Sequence, residues 1–343
     1  MYNIDDFPMM TPMKYYMSDD VNNKKRQAIL DNTNNEYIAS EKHDGCWGMF
    51  IHYSKGKNLI RSRSISKVTG AYGDYTDKLP HLCGEMDAWP DNTVVLAEIC
   101  WDEYGTNANT VGTILRCLPA KAVERQKDKK LSGLIFDVLM FNGKDLTNDP
   151  YEIRINVGFE LELKYFKRTQ VFTTDFAAAA DDIISRGGEG VVIQKKSNPY
   201  MPGTRTAWVT LKLKQALPHM ELKVVGTLEP KKFYEGDCPE TWEYKMVVCT
   251  SDPLTTDSIV GTEVLVTKPY YFGWKNGITV ELPDGTRCDV ASGLTDADRE
   301  WLATEAAAKM IEAGELYAVV KAMSFNDKGR LRHPSLVRLR NDM

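Results

Sequence analysis

Histidine and cysteine are scarce in this chain and carry no pattern. The five histidines show no His-Glu-x-x-His or related ligand spacing. The seven cysteines, an odd number without a Cys-x-x-Cys pair, give neither a zinc ribbon nor a disulfide framework. Scattered thiols of this kind fit a reducing cytoplasm. No apolar stretch is long enough to cross a bilayer, and the opening MYNIDDFPMM lacks the basic start and apolar run of a signal peptide. A cytoplasmic protein with no membrane partner is expected. Solenoid and propeller periods are absent. So is a basic excess: a net charge of −5 argues against coating nucleic acid by bulk charge and leaves room only for a local basic groove.

What is present is enough apolar material for real cores. With 343 residues, 43% hydrophobic and 27% charged, the chain suits two domains. Through the first two-thirds, strand-like runs occur at 36–40, 46–53, 93–99, 133–140 and 190–194. Helical stretches lie between them. One follows Asp149-Pro150, with the proline suited to the first helical position; another runs from Thr174 to Gly187 with a cap signal at each end. After about residue 220 the texture changes to short strands with turn signals, including an Asp284-Gly285 hairpin turn. A single helix interrupts them, opening at Thr295 with Asp298 three residues on and ending near Gly314. Short strands with one inserted helix suit a small barrel such as an OB-fold.

The sharpest local signal is EKHDGCWGMF at 41–50, where Lys42 stands one spacer from Asp44-Gly45. A lysine amine becomes a nucleophile when burial or neighbouring cations favour its neutral form. Taken alone, the same four residues also describe a surface lysine at a turn. Four further segments follow in order: VVLAEIC (94–100) with Glu98, LIFDVLMFNG (134–143) with Phe136, GGEGVVIQ (187–194) with Glu189, and WVTLKLKQ (208–215) with Lys212 and Lys214, which alternate so that both face one side of a strand. Singly, Phe136 reads as core, the glutamates as solvated strand ends, and the lysines as the wet face of an edge strand.

Together the five segments resemble the nucleotidyltransferase superfamily of DNA ligases, RNA ligases and mRNA capping enzymes. The C-terminal stretches CDVASGLTDADREWL (288–302) and GRLRHPSLVRLRND (329–342) resemble DNA ligases in particular, above all the compact bacteriophage enzymes. This resemblance implies an α+β chain, with an N-terminal nucleotidyltransferase (adenylation) domain of antiparallel sheets over 1–220 and a C-terminal OB-fold β-barrel over 221–343. It implies an ATP-dependent DNA ligase working in replication or repair. Lys42 would take AMP. Glu41, Arg63, Glu98, Phe136, Glu189, Lys212 and Lys214 would bind the nucleotide, with Phe136 against the base. Glu98 and Glu189 would hold magnesium or manganese, and Arg338 and Arg340 would orient the departing pyrophosphate.

Three features depart from or blur the family pattern. Trp47 stands where the family usually has arginine, the chain stops at Met343 where the last motif commonly has lysine, and within LIRSRSISKV either Arg61 or Arg63 meets a phosphate, with Arg63 favoured. The expected partner is nicked duplex DNA, bound by a monomer through local charge at Lys24, Lys25, Arg26, Lys231, Lys232, Lys268 and Lys275. In the segment KPYYFGWKNG (268–277), aromatics interleave with two of these lysines, as on a nucleic-acid surface or in a barrel core. RNA ligase, GTP-dependent capping enzyme and non-catalytic binding relative remain as alternatives.

Overall fold

The computed structural model describes residues 1–17, 23–66, 69–104, 107–204, 210–214, 217, 219–233, 244–250, 260–322, 324–326 and 328–340. The chain divides into two compact units, Met1–Lys214 and Gln215–Met343. Both mix helices with mainly antiparallel sheets.

The first unit is built on two sheets. The larger runs in the order Tyr72–Asp74, Lys57–Ile65, Cys46–Ser54, Thr93–Cys100, Ser132–Phe141 and Lys144–Asp145, with Phe166–Arg168 added in parallel to Ser132–Phe141. Its central strands are apolar on both faces, as strands covered on both sides must be. On one face Phe50, Val95, Ile135 and Val138 pack with Leu82 and Met86 of helix Pro80–Met86, and with Val111 and Ile114 of helix Ala108–Leu115. On the other, Met49, Ile51, Leu96 and Leu139 pack with Phe7 and Met10 near the N-terminus.

The smaller sheet runs Tyr16–Met17, Thr210–Lys214, Gly190–Lys195, Tyr37–Lys42 and Val171–Phe172. Helix Phe176–Ser185 covers one face, burying Phe176, Ala180 and Ile183 against Ala39, Val191 and Leu211. Its other face borders a cleft toward the larger sheet. Because side chains alternate along strands, Ser40, Lys42, Val192, Gln194 and Lys212 share that cleft face.

In the second unit, five antiparallel strands run Arg287–Val290, Gly277–Glu281, Met220–Leu228, Tyr317–Lys321 and Ser335–Arg340, around a core including Val224, Ile278, Val280, Ala318 and Val320. Lys245–Thr250 and Val260–Leu265 form a separate hairpin.

Several local expectations meet their geometry here. The Asp284-Gly285 pair lies in the turn joining Gly277–Glu281 to Arg287–Val290, with Gly285 at φ +82°. Thr295 and Asp298 form a reciprocal capping box, the Asp298 amide donating to the Thr295 hydroxyl at 3.1 Å and the Thr295 amide to the Asp298 carboxylate at 2.8 Å. The helix expected to continue to Gly314 is in fact two, Asp296–Trp301 and Glu305–Ala313. Thr304 caps the second, its hydroxyl accepting from the Ala307 amide, and a side-chain acceptor there starts a new helix. Pro150 is the cap residue before Tyr151–Val157 and not its first helical residue. Asp175, at φ +51°, and not Thr174, precedes helix Phe176–Ser185, without a side-chain cap bond. Among the described residues no helix is long and apolar enough to cross a membrane.

Candidate active site

Strand register assembles the cleft. Gly190 pairs with Lys42 on one neighbouring strand and with Lys214 on the other, while Val192 pairs with Ser40 and Lys212. This places Lys42 and Lys214 two strands apart in one row, with Lys212 in the next. The close approach depends on Gly190. At φ +130°, a Cβ there would meet the Leu213 carbonyl oxygen at 2.2 Å. Gly45 is equally constrained, since a Cβ would lie 2.4 Å from the Ile99 carbonyl oxygen. The turn after Lys42 therefore packs directly on the strand that carries Glu98.

Within the cleft, Lys42 Nζ lies 2.5 Å from Glu189 Oε2, and Lys214 Nζ lies 3.5 Å from Glu189 Oε1. One carboxylate thus bridges two ammoniums. Burial pushes the Glu98 carboxyl up to about 7. Lys42 and Lys212 pull against that shift, and Glu189 and Asp44 add to it. Burial draws Lys212 down to about 8, helped by Lys42, Arg63 and Lys214 and opposed by Glu189. Lys214 is lowered for the same first reason. Lys212 Nζ also sits 5.4 Å over the Tyr15 ring. The Thr210–Lys214 strand is paired on both sides, to Gly190–Lys195 and to Tyr16–Met17, so these lysines do not lie on an open edge.

These groups line a cavity of about 630 Å³, within the usual size of small-molecule sites. Lys42, Arg63, Glu98, Phe136 and Lys212 all border it, as do Trp47, Tyr15 and Gln194. Glu189 joins through its ion pair to Lys42, and Lys214 through its ion pair to Glu189. Glu41 also borders this cavity, while strand alternation aims its carboxyl toward an adjoining pocket lined by Asp102, Tyr104 and Gly188. Its carboxyl is raised by burial, and its neighbours there include Arg186 and Tyr104. His43, beside Lys42, receives no proton near neutrality, since burial, then Lys42, lowers it to about 4 against the pull of Glu189.

The two arginines of LIRSRSISKV separate cleanly. Arg61 is buried, with its guanidinium donating to the carbonyls of Phe7, Met10 and Ser62 and lying 4.1 Å over the Tyr72 ring. Arg63 is exposed and borders the cavity. Trp47 both borders the cavity and packs beneath Arg61, whose guanidinium is 5.5 Å from the indole centroid. Beneath Phe136 lies a support that its sequence pattern did not signal. The Tyr151 hydroxyl donates to the Phe136 carbonyl at 3.0 Å, and buried Arg154 grips Asp137 at 2.8 and 3.0 Å. Arg116, at the end of helix Ala108–Leu115, also borders the cavity and belongs to no recognisable motif.

The remaining candidates lie on other elements. Lys24, Lys25 and Arg26 fall on the N-terminal part of helix Asn23–Asp31. Arg338 and Arg340 lie on the last strand of the second unit, where Arg338 is exposed and Arg340 pairs with Glu221 at 2.9 Å. The residues after Arg340 lie outside the described chain. Lys232 sits near the rings of Phe233 and Tyr270, Lys268 pairs with Asp296, and Lys275 pairs with Glu229. Lys231 is exposed beside them. Tyr271 and Phe272 are about half exposed, and Phe272 stacks on Trp274 at 4.8 Å, so the aromatics of KPYYFGWKNG form a surface cluster and not barrel core.

The family model described as the ATP dependent DNA ligase domain matches residues 20–214, the stretch that builds this cleft. The chain belongs to the ATP-dependent DNA ligase family. Its curated relatives include a DNA ligase of Methanocorpusculum labreanum, 25% identical over 186 residues, covering 52% of this chain and 32% of that one. A DNA ligase of Nitrosopumilus maritimus is 24% identical over 220 residues, covering 60% and 35%. The chain thus spans about a third of the length of these ligases. Among solved structures, one from a study of Lig E DNA ligases shares the fold at a TM-score of 0.61 and 16% identity, over 96% of this chain and 98% of that one. Another, Pmar-Lig_PreS3, matches at a TM-score of 0.62 and 16% identity, over 97% and 68%.

Proposed function

We propose that this member of the family seals nicks in duplex DNA, using ATP and a covalent Lys42–AMP intermediate. The observation that carries this reading is the Lys42–Glu189–Lys214 bridge, set beside Lys212 and Glu98 in a nucleotide-sized cavity. In the first step Lys42 Nζ, having given up a proton, attacks the α-phosphorus of ATP. The bond to the leaving oxygen breaks and pyrophosphate departs. Lys212 and Lys214 face the charge that develops on the phosphoryl oxygens, where preorganised cations act most strongly. Phe136 supports the base. In the second step a 5′-phosphate oxygen attacks the same phosphorus and the P–N bond breaks. The 3′-hydroxyl then attacks the activated 5′-phosphate, and AMP leaves. Splitting one exchange into three is what a covalent nucleophile achieves.

The site suits a magnesium ion held by Glu98 and Glu189. Glu98 is a half-buried carboxyl on the cavity wall, raised by burial against the pull of Lys42 and Lys212. Among the described residues no cluster of three or more His, Cys, Asp or Glu is arranged to hold a metal. Magnesium characteristically takes one or two carboxylates and completes its shell with water and phosphate oxygens. When bound, it would neutralise phosphate charge.

We read the second unit as an OB-fold, from its five antiparallel strands and associated helices, and assign Arg338 and Arg340 to the pyrophosphate. Lys24, Lys25, Arg26, Lys231, Lys232, Lys268 and Lys275 are the proposed DNA contacts of a monomeric, cytoplasmic enzyme.

The deciding experiment is incubation with α-labelled ATP or GTP and magnesium, followed by a gel, with Lys42→Ala alongside. Label from ATP alone, absent in the variant and discharged by nicked duplex, is expected. Label from GTP would replace the ligase with a capping enzyme, and discharge by nicked RNA only would make it an RNA ligase. No label at all in pyrophosphate-free protein would leave a nucleic-acid-binding relative.

A further inference from the structure

Positive charge in the cavity is balanced unevenly. Lys42 and Lys214 share Glu189, and Lys212 rests over the Tyr15 ring. Arg61 directs its guanidinium to backbone carbonyls in the core. Arg63 and Arg116 differ from all of these. Both border the cavity, and among the described residues neither guanidinium has a carboxylate or a hydrogen-bond partner. An unneutralised guanidinium facing a cavity is a ready anion receptor, because its planar fork matches two phosphate oxygens at once.

The backbone that carries Arg116 is fixed in place. It terminates helix Ala108–Leu115, which is fixed by burial of Val111, Ile114 and Leu115 and by the Cys46 thiol donating to the Ala108 carbonyl at 3.8 Å. Its side chain folds back across Gly112. A Cβ at that position would stand 3.3 Å from both Cζ and Nη2, so glycine leaves the room in which the guanidinium lies. The charge is felt by Cys46 and Tyr75, two other residues of the same cavity wall. Position 47 on that wall contributes an indole and no charge. A cation is offered instead from a helix end whose backbone is fixed by burial, while the exposed guanidinium itself remains free of protein partners among the described residues.

We propose that Arg116, together with Arg63, is a phosphate-binding residue of this cavity, gripping a terminal phosphate of the substrate. That phosphate belongs either to the pyrophosphoryl end of ATP or to the 5′ end at a DNA nick. The inference deepens the ligase reading and rests on it, but its test needs no turnover.

The test uses the full chain, Arg116→Ala, Arg116→Lys, and Lys127→Ala as a charge-matched control on the exposed surface, where Lys127 pairs with Glu124. Affinity is measured by calorimetry for inorganic pyrophosphate, and by fluorescence for nicked duplex carrying either a 5′-phosphate or a 5′-hydroxyl. Arg116→Ala is expected to weaken one of the two phosphate ligands by roughly tenfold or more, the scale of a hydrogen bond to a charged group. Arg116→Lys should recover part of that, and Lys127→Ala should stay within about twofold. Loss confined to pyrophosphate places the contact on ATP. Loss confined to the preference for 5′-phosphate over 5′-hydroxyl places it on DNA. Wild-type affinity for both ligands in Arg116→Ala, an equal loss in Lys127→Ala, or a wild-type chain that binds neither ligand would overturn the proposal. Failure of the wild-type chain to take label from ATP would sink the ligase reading without deciding these binding measurements.

Discussion

Lys42 and Lys214 stand opposite the same residue, Gly190, from the two sides of the strand that follows Glu189, and their ammoniums meet on that one carboxylate. A nucleophile held this way is positioned but also restrained, since its nitrogen is engaged as long as it pairs with Glu189. Phosphate oxygens or a divalent cation entering the cleft would compete for both partners and free the amine for attack.

Glu189→Gln tests this balance. The amide retains the shape but cannot anchor two cations, so Lys42 and Lys214 should repel each other out of line. Transfer of label from ATP to protein is expected to fall on the order of 100-fold, the scale of removing one preorganised electrostatic partner. Undiminished labelling would mean that the short contact is an incidental resting pair.

Glu98 gives a pH-dependent stability signature. Its folded value of about 7 lies above the ordinary carboxyl value of 4.5. Below about pH 4.5 it is protonated whether folded or unfolded and costs nothing. As pH rises from 4.5 to 7 the unfolded chain ionises freely while the folded site resists the charge, so stability falls across that window and the full cost is present above 7. Glu98→Gln should therefore melt at a higher temperature than wild type at pH 8, by on the order of 2 kcal/mol in stability, with the gap closing by pH 4.5. A variant less stable at pH 8 would show that attraction to Lys42 and Lys212 outweighs burial. Lys212 is the mirror case. Its folded value of about 8 lies below the ordinary 10.5, so its cost is fully present below 8 and relieved above 10.5. Both costs coincide near neutral pH, where the chemistry needs both charges, a trade of stability for function.

Much of this site was legible because its strands are short apolar runs with chemistry at fixed offsets. Lys212 and Lys214 share a face for no reason beyond the two-residue period. Arg61 and Arg63 obey the same period, and pattern alone could not separate them. The pairing with Tyr72–Asp74 shifts register between Arg61 and Ile65, and beyond that irregularity one arginine is core and the other borders the cavity. Arg116, Tyr15 and Tyr75 were invisible, because each comes from a segment whose local sequence is ordinary and whose place is set by tertiary packing. The break at Thr304 was missed since an apolar helical pattern runs straight across it, and the decisive event is a single hydroxyl capping the Ala307 amide.

Backbone strain at Gly190 leads to a comparison of two glycines. Gly56 also has a positive φ, +76°, but nothing lies within 4 Å of where its Cβ would be. Gly56→Ala should cost only the left-handed penalty, about 1 kcal/mol. Gly190→Ala adds a collision with the Leu213 carbonyl, which can be relieved only by parting the two strands. Thermal melts should show a several-fold larger loss for Gly190→Ala, together with loss of labelling as Glu189 is carried away from Lys42. Equal losses would mean that the strands yield without cost and that the register is not what holds the bridge.

Asp137 and Arg154 form the fully buried ion pair beneath Phe136, and the same guanidinium donates to the carbonyls of Asp149 and Asn198 at 2.6 and 2.8 Å. Breaking such a pair from one side strands the other charge, so Arg154→Met should cost roughly 3–5 kcal/mol. Replacing both, Asp137→Leu with Arg154→Met, removes the stranded charge and should be milder than the sum of the single changes, a coupling that a double-mutant cycle reads directly. If the double variant folds, the Tyr151 hydroxyl loses its neighbour in the network that fixes the Phe136 carbonyl. The effect on ATP should then appear as a raised KM with kcat little changed, since a loosened base platform weakens binding before it affects attack by Lys42. Simple additivity in the cycle would mean that the two charges are stabilised separately by the surrounding carbonyls and amides, and that the pair does not act as a unit.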